Sequence, residues 1–541
     1  MPPQSSPNDT PSEQSHRQQP RRDLSFYAVL FFAVLPVWSV PPLSWAFVLY
    51  SLHTGAIWTY SRSQTAWFAL ALAEVFFSIY HLNLAFFVKR PCTMSAGNPA
   101  ELQAAFNRVT QAGLAPLPEE GFDEETLDVS RPGSPAEVVE RLDHHDPRAI
   151  DFRNSLRTWF RKAPWSHIHK QEMYQWLYWS IFNAHLPSLN TLTAARRQIL
   201  DEVLELVEKR AGASIPDGTN PSVRPLLLTL DPVNVAWRPL VWYALISLGN
   251  HTLKLWYIHR WEMRHGVKDG IEYLLRVPRG YDFATGPDPV VFVHGLGLGL
   301  VQYKLILSRL LHLLGDRPIL FPLQPHISQQ VFHPGFLLPK GRKETAAAMR
   351  ALLVELGWVR DEGEKEVSVD LDVLRARKGR VTLLSHSNGS FVHAWMLKAH
   401  PELYNRSCFV DPVTFCSWEG DVCYNFIYRP CTTGIHLVMR YFVSTELGVA
   451  NLLQRNFDWS SNSLWYEEIP NARDPYRTKF FLGGNDIILN AERVKRYLTS
   501  HGVRKGLFYD PEGRHGQAFW AEGEGYKELV RWLTEPDHPS S

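Results

Sequence analysis

The chain is 541 residues long, which is enough for two or more structural units, one of them large enough for a full α/β core. Its 56 Lys and Arg residues balance 55 Asp and Glu residues, so the formal net charge of +1 gives no indication of a nucleic-acid partner. Its five cysteines form no C-x-x-C pair and fit no zinc-ligand spacing, which favours reduced thiols over a metal centre. The four between Cys408 and Cys431 are close enough in sequence to pair if that region faces an oxidising compartment.

The N-terminal part of the chain has the composition of a membrane anchor. Residues 1–22 are rich in Pro, Ser, Gln and Arg and predict a disordered tail. Two apolar stretches follow, Leu24–Tyr50 and Thr65–Val88, and the second is long enough to cross a bilayer core of about 30 Å. Basic pairs precede the first stretch and follow the second, which by the positive-inside rule places both ends in the cytosol. We therefore predict a transmembrane hairpin over residues 23–90, in the endoplasmic reticulum or another endomembrane, with the rest of the chain cytosolic.

The sequence leaves two alternatives to this hairpin open. The stretches could form a buried helical pair in a soluble domain, although runs this long are rare in soluble cores. An odd number of spans, with the first stretch split at Pro41-Pro42, would place the rest of the chain in the lumen. The sequons at Asn250 and Asn405 would then be glycosylation acceptors. Glu74, near the middle of the second stretch, is expected to face its partner helix or to snorkel.

The next two segments differ in composition. Residues 91–150 are rich in Pro, Gly and acidic residues and predict a linker. Residues 151–265 combine many Trp and Tyr residues with basic ones and include an amphipathic helix over Leu192–Lys209. Trp237–Trp261 is apolar but too often interrupted by polar residues to be predicted as a span. The block 151–265 is therefore either a set of helices at the membrane surface or capping the next domain, or a plain helical domain with a Trp-rich core.

Residues 266–541 show alternating strand and helix patterns. The predicted strands are Ile271–Val277, Val290–Val293, Ile319–Leu323, Val381–Leu384, Ser407–Val410, Lys479–Leu482 and Gly506–Tyr509. Predicted helices between and after them are Val301–Leu314, Glu344–Trp358, Ala491–Ser500 and Tyr526–Leu533. Alternation of this kind predicts an α/β domain with a mostly parallel central sheet and helices on both faces.

The residues from Val381 to Ser390, V-T-L-L-S-H-S-N-G-S, have the features of a nucleophile elbow. A buried strand leads into the motif, and a pattern of helical spacing follows it. Ser387 has a small residue two positions before it and another two positions after it, Ser385 and Gly389, as a sharp strand-to-helix turn requires. Ser387 is therefore the predicted nucleophile.

A glycine-rich loop, His294-Gly295-Leu296-Gly297, lies between a predicted strand and a predicted helix upstream of the elbow. Glycines in such a loop let backbone N–H groups approach a developing negative charge. We predict that the N–H groups of Leu296 and of Asn388, the residue after the nucleophile, stabilise an oxyanion. A phosphate-binding loop is the alternative, but it would require a Lys-Ser/Thr ending or an acidic residue after the next strand.

Two further residues complete a catalytic constellation. Asp486 in G-G-N-D and His515 in R-H-G each follow a predicted strand, and the order Ser, Asp, His is that of one large class of hydrolases. Active groups collect at such strand ends in an open α/β sheet. Asp411, after the strand Ser407–Val410, is the alternative acid. Asp486 is preferred because its turn matches the commoner placement.

Together these motifs make residues 270–535 resemble the α/β-hydrolase superfamily. More narrowly, H-G-L-G-L-G-L, S-H-S-N-G-S-F, V-D-P-V and N-F-I-Y-R-P resemble fungal membrane-tethered hydrolases that lack an assigned substrate. Ser385 replaces the usual glycine, a change from one small residue to another. The resemblance implies a serine hydrolase with no metal or cofactor, in which Ser387 attacks, His515 moves the proton and Asp486 orients the imidazole.

Residues 413–471 contain many aromatic residues and no predicted strand, and an insertion after the sixth strand is where such enzymes carry a lid. An apolar lid favours a hydrophobic substrate. We predict a membrane-anchored, lipase-like serine esterase that acts on lipids or other hydrophobic esters drawn from the bilayer. An acyltransferase using the same triad and a catalytically inactive membrane scaffold are the alternatives.

Overall fold

The computed structural model describes residues 21–91, 99–112, 139–282, 285–359, 381–520 and 523–535. Nearly all of the predicted disordered tail, and the greater part of the predicted linker, lie outside these described residues.

The central element is an eight-stranded sheet with the strand order β1-β2-β4-β3-β5-β6-β7-β8. Its strands are β1 Arg264–Lys268, β2 Ile271–Arg276, β3 Val290–Val293, β4 Ile319–Leu323, β5 Val381–His386, β6 Tyr404–Val410, β7 Thr478–Gly483 and β8 Leu507–Asp510. β2 is antiparallel to both of its neighbours, and β3 to β8 run parallel to one another. β3, β4, β5 and β7 are buried at every residue, which explains their continuous apolar sequences. The predicted mostly parallel sheet is confirmed, and the edge strand β1 is an addition to it.

Helices cover both faces of this sheet. The longer helices of the described residues are α1 Leu24–Thr54, α2 Arg62–Val88, α3 Pro99–Gln111, α4 Pro147–Leu156, α5 Lys170–Phe182, α6 Ala194–Ala211, α7 Leu240–Trp261, α8 Leu300–Leu313, α9 Arg342–Glu355, α10 Gly389–Ala399, α11 Leu447–Arg455, α12 Ala491–Ser500 and α13 Glu524–Thr534. One large core packs against the sheet face that carries α9 and α10, and a second against the face that carries α8 and α13. Both cores continue into helices outside the sheet domain.

The tryptophans of residues 151–185 belong to the larger core. Trp159, Trp165, Trp176 and Trp179 are all buried. The indole of Trp159 donates to the carbonyl of Trp418, 2.8 Å away, so this block packs on the 413–471 insertion. Their burial favours the interpretation of a helical domain with a Trp-rich core, and it contradicts a membrane-surface position for these residues.

The predicted linker contains a helix that packs in the same core. Leu102, Ala105 and Phe106 of α3 are buried, and the ring of Phe106 meets that of Trp459 edge-on, with centroids 5.2 Å apart. Their spacing is helical, but the Pro-rich and acidic flanks dominate the composition of the segment. This part of residues 91–150 is therefore a core helix rather than a linker.

α1 and α2 pair as a helical hairpin, and its position across a membrane stays a prediction. By length and composition both are apolar enough to cross a membrane, and the indole of Trp45 donates to the hydroxyl of Ser78 across the pair. α1 continues through Pro41-Pro42, so the first stretch is not split. A π-helical turn over Leu30–Val34 precedes these prolines and lets the chain adjust its hydrogen-bond register.

The hairpin is docked on the rest of the protein rather than attached only by a tether. The carboxylate of Glu74 accepts the N–H of Leu240 at the start of α7, 2.7 Å away, so Glu74 caps a helix outside the hairpin. At the end of α2, the guanidinium of Arg455 donates to the carbonyls of Val88 and Arg90, at 3.1 and 2.8 Å. Arg455 also reaches the carbonyl of Thr229 at 2.7 Å and so joins three segments of the chain.

Replacing Arg455 by methionine should loosen this junction, because several buried carbonyls would lose their donor. We expect the free energy of unfolding in detergent to fall by about 1–3 kcal/mol. Thermal unfolding of the full chain measures this loss. Arg197→Met is the control, because Arg197 forms an exposed ion pair with Asp201 on one helix and its loss should cost less than about 0.5 kcal/mol. Equal effects of the two substitutions would contradict the role given to Arg455.

Both sequons are engaged in the fold. Asn250 is buried in α7 and donates its side-chain amide to the carbonyl of Leu298, 2.9 Å away. The amide of Asn405 donates to the carboxylate of Asp288, also at 2.9 Å. A glycan on the buried Asn250 is incompatible with the folded chain, so absence of glycosylation there does not report the side of the membrane.

Candidate active site

Ser387 occupies a strained turn between β5 and α10. Its φ of +53° lies in the left-handed region, which non-glycine residues adopt only where the surrounding fold imposes it. The turn is crowded: a Cβ at Gly389 would lie 2.4 Å from the carbonyl oxygen of Val293, and one at Gly295 would lie 2.8 Å from the Cβ of Ser387. The amide of Ser387 donates to the carbonyl of Val410, 3.0 Å away. The small residues of the motif are thus required by close backbone contacts.

Ser385, the departure from the usual glycine, has a polar partner beneath the turn. Its hydroxyl lies 2.8 Å from Nδ1 of His393, whose Nε2 lies 3.1 Å from the hydroxyl of Ser407. The imidazole stacks on Phe409 with ring centroids 3.9 Å apart. Burial lowers the pKa of His393 well below its usual value, so the ring is neutral. A serine is tolerated here because its hydroxyl is hydrogen-bonded.

The three predicted triad residues meet above the sheet. Nε2 of His515 lies 2.8 Å from the hydroxyl oxygen of Ser387, and Nδ1 lies 2.5 Å from Oδ2 of Asp486. The other oxygen of Asp486 accepts the N–H groups of Ile488 and Leu489, at 2.7 and 3.2 Å. The hydroxyl, the imidazole and the carboxylate thus have the relative positions that a serine nucleophile, its base and an orienting acid would require.

The positions of these three residues relative to the strands identify the fold. Ser387, Asp486 and His515 follow the carboxyl ends of β5, β7 and β8, and Ser387 lies on a strained strand-to-helix turn beside the parallel strands β3 and β6. The chain has the α/β-hydrolase fold. The predicted fold class is thus confirmed, whereas the narrower resemblance to fungal hydrolases stays a prediction.

Comparisons with known proteins find similarity to solved structures, at low identity and low TM-score. No protein-family model and no curated protein matches the sequence. Carboxylesterase CesB from Bacillus subtilis is 11% identical, with 54% of this chain and 98% of that chain covered and a TM-score of 0.31. Esterase E25 is 14% identical, with coverages of 54% and 83% and a TM-score of 0.33. A membrane phospholipase A described as a bacterial virulence factor is 12% identical, with coverages of 54% and 93% and a TM-score of 0.32.

Asp411, the alternative acid, supports the two catalytic loops instead of the imidazole ring. Its two oxygens accept the N–H groups of Gly483, at 3.0 Å, and Gly516, at 2.6 Å. Gly483 lies on the strand that leads to Asp486, and Gly516 follows His515. Burial raises the pKa of Asp411 to about 6. The geometry therefore favours Asp486 over Asp411 as the triad acid.

Asp411, Asp486 and His515 also form a group of donors whose ligand atoms lie within 4.8 Å of one another. Nδ1 of His515 is engaged by Asp486, and both oxygens of Asp411 are engaged by backbone N–H groups. A cation would have to displace these hydrogen bonds. The donor set therefore fits an acid–base relay better than a metal centre.

The charges around His515 increase its basicity. Burial disfavours the imidazolium, but the charge and hydrogen bond of Asp486, together with the charge of Asp411, raise the pKa of His515 to about 9. An imidazolium at His515 is thereby stabilised.

The predicted oxyanion donors remain available in the described structure. In the glycine-rich loop, the N–H of Gly295 donates to the hydroxyl of Tyr303, that of Gly297 to the carbonyl of Ile327, and that of Leu298 to the side chain of Gln302. None of the hydrogen bonds among the described residues uses the N–H of Leu296 or Asn388. Both residues line the same cavity as Ser387. Leu296 and Asn388 thus remain the predicted oxyanion donors.

Sequence reasoning missed the residues that support this loop. The hydroxyl of Tyr303 accepts the N–H of Gly295 at 2.9 Å and lies 2.6 Å from Nδ1 of His386, whose ring is 5.2 Å from that of His515. Tyr303 therefore ties the oxyanion loop to the elbow. Tyr303 has no local sequence motif, because its contact with His386 joins residues far apart in sequence.

A cavity of about 1450 Å³ adjoins Ser387 and His515. Much of its wall comes from the 413–471 insertion, through Val422, Phe426, Ile427, Ile435, Val438, Met439, Phe442 and Phe457. Polar groups, among them Gln302, Asn485 and Gln517, lie on the side of the catalytic loops. The site can therefore hold a large apolar group with a polar end beside Ser387.

Proposed function

We propose that this protein is a membrane-anchored serine hydrolase that cleaves carboxylic esters carrying a long apolar acyl chain. The observation that carries the proposal is the hydroxyl of Ser387, hydrogen-bonded to His515, in the wall of a large and mainly apolar cavity. The length and apolar composition of α1 and α2 support the membrane part of the proposal.

The reaction begins with attack of the Ser387 oxygen on the ester carbonyl carbon, while Nε2 of His515 accepts the hydroxyl proton. The negative charge that forms on the carbonyl oxygen is stabilised by the N–H groups of Leu296 and Asn388. As this intermediate collapses, the bond to the alcohol oxygen breaks, and the imidazolium returns its proton to the departing alcohol. Asp486 holds the imidazole in the tautomer that presents Nε2 to the serine.

The second half of the reaction releases the acid. Water attacks the acyl group on Ser387 and transfers a proton to His515. The tetrahedral intermediate collapses with cleavage of the bond to the serine oxygen, which recovers the proton. During both half-reactions the acyl chain lies against the apolar wall formed by the insertion. The cavity is therefore much larger than the reacting atoms alone would need.

Substrate chain length tests the proposal. Each methylene that enters an apolar cavity gains about 0.8 kcal/mol, so we expect kcat/KM to rise at least about 100-fold from a butyrate ester to a decanoate ester. The measurement uses the full chain in detergent micelles, with the alcohol part of the ester kept constant. An unchanged or falling kcat/KM along the series would contradict a long-chain substrate. Transfer of the acyl group to added glycerol, rather than to water, would instead identify the protein as an acyltransferase.

A further inference from the structure

The mouth of the catalytic cavity is rimmed by apolar side chains that are exposed in the folded protein. Leu305 on α8, Ile435 and Trp520 line the cavity, yet 66%, 52% and 60% of their surfaces are accessible. Exposed aliphatic and aromatic residues grouped around an opening are unusual for a surface that faces water. The opening therefore requires an apolar partner.

α7 extends this apolar surface on one side of the mouth. Val241, Leu245 and Leu248 recur at helical spacing and are exposed, whereas Trp242 of the same helix lines the cavity. α7 approaches α8 closely, since a Cβ at Gly249 would lie 2.9 Å from a methyl carbon of Val301. The exposed stripe of α7 is thus continuous with the rim.

α1, one of the two candidate membrane spans, contacts the segment that carries the rim residue Ile435. The amide of Gly434, at the start of a short helix that carries Ile435 and Val438, donates to the hydroxyl of Ser25 at 2.8 Å. A Cβ at Gly434 would lie 2.9 Å from a methyl carbon of Val29 in α1. The mouth therefore opens between a candidate membrane span and the exposed stripe of α7.

The same surface meets the second candidate span. The carboxylate of Glu74 in α2 caps the start of α7, and the ring of Phe77 lies 5.7 Å from that of Tyr243. α7 is therefore fixed beside the hairpin, with its apolar stripe outside the contact. Near the other end of α7, Lys304 lies over the ring of exposed Trp256, and Arg260 lies over the ring of Trp261. Basic and indole side chains in such pairs are typical of the headgroup region.

We propose that a lipid bilayer covers this surface: α7 lies in the membrane beside α1 and α2, and the ester enters the cavity laterally from the lipid between α7 and α1. The entry of an ester rests on the proposed function, whereas the position of α7 does not. Continuity of the apolar surface with both candidate spans selects lipid rather than a protein as the partner.

The position of α7 is measured without any catalytic assay. Nitroxide labels are placed on Leu248→Cys and on Tyr476→Cys of the full chain in phosphatidylcholine vesicles, with the labelled parent chain as background. Tyr476 is exposed and precedes β7, at the amino-terminal end of the parallel strands, whereas the elbow follows the carboxyl end of β5. We expect the label at position 248 to be more accessible to oxygen than to a water-soluble nickel chelate, and the label at 476 to show the reverse. Equal, water-like accessibility at both positions would overturn the proposal.

The route of the substrate is tested with Leu248→Lys, which lies outside the cavity wall, and Tyr476→Lys as the control. Hydrolysis of a long-chain ester in vesicles should fall about tenfold in Leu248→Lys, while hydrolysis of a soluble butyrate ester stays within about twofold of the parent chain. Tyr476→Lys should change neither rate. Unchanged vesicle activity in Leu248→Lys would overturn lateral entry. Absence of esterase activity in the parent chain would contradict the proposed function and leave the nitroxide result to decide the position of α7.

Discussion

Replacement of Ser387 by alanine is expected to reduce ester hydrolysis by about 10⁴-fold or more, because the nucleophile is lost while the oxyanion donors and the cavity remain. The same variant should not react with a fluorophosphonate probe, which labels an activated serine. Binding of a long-chain ester should persist, since the apolar wall is unchanged. Release of the acid product and labelling by the probe are the two measurements.

A matched serine outside the site provides the control for this prediction. Ser222 is exposed, its hydroxyl donates to the side chain of Asn220, and it is absent from the cavity wall. Ser222→Ala should therefore hydrolyse esters and react with the probe as the parent chain does. Full activity of Ser387→Ala would show that the hydroxyl beside His515 is not the nucleophile, whatever the geometry of the triad.

The elbow was predictable because its determinants are local. Ser387 stands between Ser385 and Gly389, and the contacts that demand small residues involve strands identified by their apolar runs. Asp486 and His515 were found in the same way, from their position after strands. The contacts of His515 with Ser387 and Asp486 could only be expected, since the loops that bring these residues together are held by Asp411, which has no motif of its own.

The contacts that dock the hairpin on the rest of the protein could not be predicted from the sequence. Glu74 was expected to face its partner helix or to snorkel, but it caps α7, a helix more than 160 residues further along the chain. No sequence motif marks Arg455 either, although this residue of the insertion holds the end of α2 by hydrogen bonds. Such contacts depend on tertiary packing, which hydropathy and charge patterns do not encode.

The Trp-rich block 151–265 shows that one amino-acid composition can fit two environments. Trp and Tyr among basic residues are typical both of the membrane interface and of a core whose polar tips find partners. The indole of Trp179 donates to the hydroxyl of Thr229 at 2.7 Å, so Trp179 belongs to a core in which its polar tip has a partner. α7, which the sequence left undecided because of its polar residues, is the helix of this block that exposes an apolar stripe.

Asp486→Asn should lower the maximal rate of ester hydrolysis by about 10³–10⁴-fold, because an amide no longer holds His515 in the productive tautomer. The pH dependence should change as well. Asp486 raises the pKa of His515, and catalysis needs the neutral ring, so kcat/KM of the parent chain falls as the pH drops through this raised pKa. Without the carboxylate the pKa decreases, and the acid limb of the profile should move to lower pH. Profiles of kcat/KM against pH for the two proteins measure the shift.

The variant Asp411→Asn distinguishes the role of Asp411 from that of Asp486. Asp411 accepts two backbone N–H groups, and an amide can replace only one of its oxygens as acceptor, so we expect a stability loss of about 1–3 kcal/mol. The maximal rate should fall by less than about tenfold at a temperature where the variant is folded, since Asp486 still contacts His515. If Asp411→Asn instead lost as much activity as Asp486→Asn while retaining its stability, Asp411 would be the acid that orients the imidazole, and the hydrogen bond between Asp486 and His515 would be a structural contact.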